Sequence, residues 1–297
     1  MAVAIQTKGL SKRYGQEFAL KDLDLDVVEG EVLGYLGPNG AGKTTTIRLL
    51  LGLIRPTSGT ATVFGLDAQK HAPEVHRRLA YVPGEASLWP SLTGHETLAL
   101  LGRVHGQIDA RYRDELIARF DFGPNKRVRS YSKGNRQKLS LIAALITRAD
   151  LLVLDEPTSG LDPLMEQAFR ECIREAKREG QTVFLSSHIL SEVEALCDRV
   201  AILRLGRLLE LGTLNELRHL SALSIEATFE GAPPDVTGVP GVSDIEVQGP
   251  RLRCQVTGSI GPLLRVLSGA GVRELLSTKP SLEELFLSHY GAEVERG

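Results

Sequence analysis

VLGYLGPNGAGKTTTIRLLLGLI, residues 32–54, joins two patterns across one turn. Before the turn, Leu33, Tyr35 and Leu36 give the short apolar run of a buried strand. After it, Ile47, Leu50, Leu51 and Ile54 recur at helical spacing and predict a helix. Between them stand Gly37, Pro38, Asn39, Gly40, Ala41, Gly42, Lys43, Thr44 and Thr45, which satisfy G-x-x-x-x-G-K-[ST]. The glycines let consecutive backbone N–H groups curl around an anion, and the helix beginning there adds its positive end. The pattern directs Lys43 to the outer phosphates of a nucleotide and the Thr44 hydroxyl to Mg²⁺. A chance glycine turn needs neither a strand before it nor a helix after it, so the context favours nucleotide binding.

One hydroxyl holds a divalent cation weakly, and acidic help is expected downstream. LLVLDEP at 151–157 supplies it, an apolar run ending in two carboxylates. Asp155 at the strand tip suits Mg²⁺, through water. Glu156 points differently and suits the orientation or deprotonation of an attacking water. Paired acids at a strand end are otherwise a solvated turn; a phosphate loop in the same chain tips the balance. His188 closes another apolar run, TVFLSSH. At the carboxyl end of a parallel strand it faces the same crevice, where it could donate to the γ-phosphate. A lone histidine is more often structural, so His188 carries little weight by itself.

Strand signals at 151–157, 181–188 and 199–212, with helical stretches between the first pairs, imply a parallel sheet with right-handed crossovers. GTATVFG at 59–65 alternates like a short strand. From about 90 to 147 the spacing turns helical, and Thr93 with Glu96 makes a capping box ahead of TLALLGRVHG. After about residue 220 the composition shifts to GAPPDVTGVPGV. LSIEATF, SDIEVQ and RLRCQVTG around it read as short antiparallel strands, the last two turned at Gly249-Pro250. IGPLLRVLSGAG reads as a helix, VRELLSTK as a strand, and Ser281 with Glu284 as a capping box opening a last helix, LEELFLSHY. The expected architecture is α/β: a parallel-sheet core, an antiparallel β subdomain, a helical insertion at about 86–147, and a small C-terminal α+β domain. The domain division is 1–218 and 219–297.

Lys and Arg number 35 against 37 Asp and Glu, a net charge of -2, which gives no support to nucleic-acid binding. Cys172, Cys197 and Cys254 have neither metal-ligand nor redox spacing and read as free thiols. The N-terminal stretch lacks the apolar core of a signal peptide. The longest apolar run, LSLIAALI at 139–146, suits a buried helix rather than a membrane span. The expectation is a cytosolic protein that reaches a membrane only through a partner.

A second phosphate-seeking stretch remains. YSKGNRQK at 131–138 holds a serine, a glycine, two amides and three cations, far from the first loop. In this order these segments resemble the ATP-binding subunit of an ABC transporter, which is built on a P-loop NTPase core, over about residues 3–215. YSKGNRQK stands where that family places its signature: Ser132, Lys133, Gly134 and Asn135. TSGLD matches its D-loop through Ser159 and Asp162, SSH matches its H-loop, and Tyr14 in LSKRYG matches the aromatic that stacks on adenine. Such stacking is worth roughly 1–3 kcal/mol.

The resemblance implies an ATPase that uses ATP and Mg²⁺. It implies a head-to-tail homodimer in which the signature of one chain closes over the ATP held by the other. Ser132 and the Gly134 amide would then meet the γ-phosphate, with ATP favouring the closed pair and ADP the open one. It also implies separately encoded polytopic permease subunits that hold this chain peripherally at the cytoplasmic face of the cell membrane.

Two departures stand out. Tyr131, Lys133 and Asn135 replace the usual Leu, Gly and Gln of the signature. In YVPGEASLW at 81–89, Gly84 occupies the place of the Q-loop glutamine. Either Glu85 takes over part of that role, or the loop couples mechanically without it. The insertion should carry the groove for a coupling helix of the permease, with Leu88 and Trp89 as apolar contacts or as core. The tail PSLEELFLSHYG resembles a C-terminal extension of bacterial drug and antibiotic exporters. The main reading is therefore an exporter ATPase for drugs or other small molecules. The alternative is a soluble ABC-type ATPase of translation or DNA repair, which would carry paired ATPase units or a long coiled coil. A phosphate-loop small-molecule kinase is a third class, against which the signature and D-loop speak.

Overall fold

A computed structural model of the chain describes residues 2–106, 109–219 and 223–278. By contact density the chain falls into two units, Met1–Leu211 and Gly212–Gly297.

In the first unit, β1 (Val3–Tyr14) and β2 (Glu17–Val28) form a long antiparallel hairpin, with pairing from Val3↔Val28 to Tyr14↔Glu17. Gly15 turns it at φ 59, a conformation glycine adopts without penalty. β3 (Val32–Leu36) is buried along its whole length, as a strand flanked on both edges and both faces must be. The chain continues through α1 (Lys43–Leu50), β4 (Ser58–Val63), β5 (Leu66–Asp67), α2 (Ala72–His76) and β6 (Leu79–Val82). Three helices follow: α3 (Gly94–His105), α4 (Ala110–Arg119) and α5 (Lys133–Leu145). Then come β7 (Leu151–Asp155), α6 (Pro163–Arg178), β8 (Thr182–Ser187), α7 (Leu190–Leu196), β9 (Arg199–Arg204) and β10 (Arg207–Thr213).

Six strands lie in the order β10-β9-β3-β8-β7-β6, and the pairs from β9 through β6 are parallel. A second sheet, β2-β1-β4-β5, is antiparallel. Ile5, Leu33, Tyr35, Ile47, Val153 and Phe184 belong to one buried core shared by both sheets and α1. The order puts the ends of β3, β7 and β8 side by side, so residues far apart in sequence meet at one sheet edge.

α3 opens with the expected capping box, the Thr93 hydroxyl accepting from the Glu96 N–H and the Glu96 carboxylate from the Thr93 N–H. α1 is shorter than the periodicity predicts. It ends at Leu50, with Leu51 as its C-cap, so Ile54 lies beyond it. Gly52 stops the helix at φ 68, where a β-carbon would fall 2.4 Å from the Ala68 carbonyl oxygen. Leu51 and Ile54 still pack on the core, from turn rather than helix.

The second unit contains α8 (Leu214–His219), β11 (Leu223–Phe229), β12 (Val242–Gln248), β13 (Arg251–Val256), α9 (Gly261–Ser268) and β14 (Val272–Thr278). Its sheet runs β12-β13-β11-β14, all antiparallel. Leu263 and Leu267, one turn apart on α9, close over Ile225, Leu252 and Cys254. The capping box at Ser281 and the helix expected after it lie outside the described residues. All three cysteines are free and buried. Among the described residues no helix is long and apolar enough to cross a membrane.

Candidate functional site

The glycine loop between β3 and α1 is shaped by close backbone approaches. Gly40 and Gly42 hold φ 83 and 105. A β-carbon at Gly42 would lie 2.5 Å from the Ala19 carbonyl oxygen of β2, and one at Gly37 would lie 2.8 Å from the Leu203 carbonyl oxygen of β9. No side chain fits either place without moving backbone. Lys43, 5% exposed, donates from Nζ to the carbonyls of Gly37 (2.7 Å) and Pro38 (3.2 Å). The ammonium is thus folded back over its own loop, where a phosphate would find it already desolvated. Asn39, Gly40 and Thr44 are exposed, while Gly37 and Ala41 are buried beneath them.

β7 delivers the carboxylates. Asp155 Oδ2 accepts from Thr44 Oγ1 at 2.9 Å, and its Oδ1 accepts from Ser186 Oγ at 2.9 Å. Two hard oxygen donors, a hydroxyl and a carboxylate, therefore stand together and fit Mg²⁺. Glu156, the next residue, sits at φ 48, a costly conformation for a side chain of this kind. That twist turns Glu156 away from Asp155. Its Oε1 lies 3.3 Å from Lys43 Nζ and 3.3 Å from His188 Nδ1. His188 follows the end of β8 and is 48% exposed, so its ring is open to a ligand. The Glu156 N–H is bonded to the Ser186 carbonyl at 2.9 Å.

Five of the residues expected to act on the nucleotide, Lys43, Thr44, Asp155, Glu156 and His188, thus form one connected group. Tyr14 ends β1 in the hairpin that also presses Ala19 onto Gly42. Its ring is half exposed, and Lys12 Nζ stands 5.1 Å from the ring centroid. Gly84 lies against the same cluster, for a β-carbon there would be 3.3 Å from the Asp155 carbonyl oxygen. The exposed Glu85 follows it. Tyr81, on β6 just before this loop, has its hydroxyl pushed up to about 12, by burial first and then by the Asp155 charge.

The second phosphate-seeking stretch sits apart from the glycine loop. Ser132 is the N-cap of α5, its hydroxyl accepting from the Asn135 N–H at 3.3 Å. Gly134 packs so closely on the 156–162 loop that a β-carbon would come within 2.6 Å of the Gly160 carbonyl oxygen. Lys133 Nζ donates to Ser159 Oγ at 3.2 Å, and buried Gln137 donates to the Pro157 carbonyl at 3.0 Å. Asp162 caps α6 through the Met165 N–H. Ser132, Lys133, Gly134, Asn135 and Asp162 line an open depression of about 550 Å³, and no residue of the glycine loop borders it. Within one chain the two phosphate-seeking segments are therefore not one site. The loop between β7 and α6 links them mechanically, since Glu156 belongs to one and Gly160 to the other.

Tyr131, the unusual first residue of that stretch, is buried, its ring tilted against that of Phe122 with centroids 5.2 Å apart, and donates to the Gly123 carbonyl at 2.7 Å. Its role is packing. Leu88 is partly buried and Trp89 half exposed, and both line a groove of about 210 Å³ with Tyr81, Leu101, Ala143 and Ala144.

Sequence reasoning did not single out Ser186, Gln137 or Glu192. Ser186 faces Asp155 through the parallel β7–β8 register, Asp155↔Ser186, which no local pattern encodes.

Comparison with known proteins agrees with this geometry. Residues 20–159 match the family model described as ABC transporter. The chain is 38% identical to a daunorubicin resistance ATP-binding protein, DrrA3, of Streptomyces coeruleorubidus, over 96% of this chain and 95% of that one. It is 35% identical to a Nod factor export ATP-binding protein I of Rhizobium sp. (strain N33), over 99% of both. Among solved structures it resembles an ATP-binding subunit of an ABC transporter, with a TM-score of 0.68 at 34% identity over 72% of this chain and 92% of that one. A dimeric ATP-binding cassette bound to ADP and Pi shares the fold, with a TM-score of 0.63 at 22% identity over 71% of this chain and 98% of that one.

Proposed function

This chain belongs to the ATP-binding subunits of ABC transporters, and from that membership we propose that two copies pair head to tail, each ATP gripped by the glycine loop of one and by Ser132 and Gly134 of the other. The observation that carries the proposal is the separation of two phosphate-seeking segments that share one loop. Lys43, Thr44 and Asp155 stand on one side of it; Ser132, Lys133 and Gly134 stand on the other. A second copy brings the missing half. The 156–162 loop then transmits the state of the phosphate to the contact between copies.

In this reading Lys43 neutralises the outer phosphates, and Tyr14 stacks on the base. Thr44 and Asp155 would hold Mg²⁺, which supplies Lewis-acid stabilisation of the phosphate charge. Glu156 orients the attacking water and takes its proton, and His188, whose Nδ1 lies 3.3 Å from Glu156 Oε1, donates to the γ-phosphate. Neutral glutamine in place of Glu156 keeps the shape and loses the base.

The ATPase engine occupies the first unit, Met1–Leu211, and the second, Gly212–Gly297, is an accessory domain. Separately encoded polytopic permease subunits hold the chain at the cytoplasmic face of the membrane. The groove beside Leu88 and Trp89 in the 86–147 insertion is apolar and open, which suits a short helix from such a partner. The names of the relatives, daunorubicin resistance and Nod factor export, favour export of a drug or other small molecule.

The test is Glu156→Gln, measured by light scattering. With Mg²⁺ and ATP its mass should double and phosphate release should cease; a monomer at saturating ATP contradicts the pairing.

A further inference from the structure

Glu192 is 1% exposed, yet it carries a carboxyl into the protein interior. Its Oε2 accepts from Ser187 Oγ at 2.6 Å, and the same Ser187 oxygen accepts the Ile189 N–H at 3.0 Å. These two bonds bracket His188 and fix the turn by which β8 passes into α7. On its other side Glu192 faces Thr158, itself buried, in the loop that starts at Glu156. Arg170 and Glu166 of α6 also face it, their own contact being 3.7 Å. One side chain therefore holds the residue just before His188 and approaches the segment after Glu156.

The arrangement is expensive. Burial pushes the carboxyl of Glu192 above its ordinary value, against the pull of Ser187, Thr158 and Arg170. The buried Arg170 Nε, which faces it, has no hydrogen-bond partner. A buried polar atom without a partner costs roughly 1–3 kcal/mol. An apolar residue on α7 would pack here more cheaply, as Val193 and Leu196 do on the same helix. What an apolar residue could not do is accept from Ser187.

We propose that Glu192 is a positioning residue for hydrolysis: through Ser187 it holds His188 Nδ1 against Glu156 Oε1. The inference rests on the reading that Glu156 and His188 act on bound ATP. Glu192 itself touches neither nucleotide nor reacting water. Its removal frees the turn at 187–189, and the His188 ring, half exposed, drifts from Glu156. Lys43, Thr44 and the glycine loop are not touched, so nucleotide affinity is spared. The signature of the role is a fall in turnover without a fall in binding. A misplacement of about 1 Å costs on the order of a hundredfold in rate.

The experiment compares Glu192→Ala, Glu192→Gln, Ser187→Ala and the double Ala variant, by phosphate release and by titration with a fluorescent ATP analogue. Glu192→Ala should lose about tenfold to a hundredfold in kcat, with nucleotide Kd within about twofold of wild type. Glu192→Gln keeps an oxygen acceptor for Ser187 and should stay within roughly threefold. Ser187→Ala should lose as much as Glu192→Ala, and the double variant no more than either, because both act through one bond. Wild-type turnover in Glu192→Ala, a Kd loss as large as the kcat loss, or additive losses would overturn the proposal. If Glu192→Ala does not fold, Ser187→Ala decides: a loss of about tenfold in kcat alone supports the role, and normal turnover removes it. Should Glu156→Gln be inactive while Glu192→Ala is normal, this inference alone falls. Should Glu156→Gln still turn over ATP, the assignment of Glu156 falls with it.

Discussion

Asp155→Asn separates what it takes to hold a charge from what the charge does. Asp155 is 4% exposed and accepts from Thr44 Oγ1 and Ser186 Oγ, both at 2.9 Å. Asparagine has nearly the same shape, and both hydroxyls can rotate, so both contacts survive in neutral form. Two bonds to a charged acceptor, at roughly 1.5–3 kcal/mol each, become neutral bonds at about 1 kcal/mol. The loss is on the order of 1–4 kcal/mol. Against it stands the several kcal/mol needed to bury a carboxylate whose partners are two uncharged hydroxyls, which the amide avoids. The terms oppose and are similar, so Tm without Mg²⁺ should move by no more than about 4 °C. Function is not balanced in this way. The cation site keeps the Thr44 hydroxyl and loses its acid, so phosphate release at saturating ATP should fall about a hundredfold, or ~2.7 kcal/mol of barrier. Binding of ATP in EDTA should stay within roughly threefold of wild type, because Lys43 and the glycine loop are unchanged. Calorimetry and phosphate release over a Mg²⁺ titration read both quantities. An unaltered Mg²⁺ dependence would refute the assignment of Asp155. A fall in Tm beyond about 10 °C would show that its work is structural.

Three further outcomes follow from single residues. Tyr14→Ala should weaken ATP binding about tenfold and Tyr14→Phe hardly at all, since stacking uses the ring and not the hydroxyl; equal affinities in a nucleotide titration would remove Tyr14 from the site. Glu85→Ala should lower the ATPase rate several-fold and shift its Mg²⁺ dependence if Glu85 covers for the absent glutamine at Gly84, and unchanged rate and dependence leave the loop with a mechanical role only. Leu205 is 75% exposed at φ 47 on the turn between β9 and β10. Leu205→Asn should therefore stabilise the chain by about 1 kcal/mol, read as a higher urea midpoint, and a lower midpoint would contradict the strain.

The legible parts of the molecule are those whose chemistry and spacing coincide. The glycine loop names its own strand and helix, because only glycine tolerates φ 105 at Gly42 against the Ala19 carbonyl. Asp155 and Glu156 are readable as an acid pair with different directions and roles, but the backbone device that parts them is not. That device is the positive φ of Glu156, which an unaided sequence does not announce. The spacing runs past the end of α1 because Leu51 and Ile54 keep helical intervals while packing from a turn. Ser186 and Glu192 stayed hidden for a different reason. Their partners, Asp155 and Ser187, are set by strand register and helix packing, contacts between distant segments that leave no local pattern. The last helix of the second unit, expected from Ser281 onward, lies outside the described residues.

Pairing of two copies around each nucleotide is tested most directly by mixing two dead chains. Lys43→Ala loses the loop lysine, and Ser132→Phe blocks the signature. Neither should hydrolyse ATP alone. In a mixed pair, the wild-type loop of one chain meets the wild-type signature of the other, so one intact site reappears. Equal mixing should restore about a quarter of wild-type activity, because half of the pairs are mixed and each has one good site of two. No activity at any mixing ratio, with both chains folded and paired, would contradict the shared site.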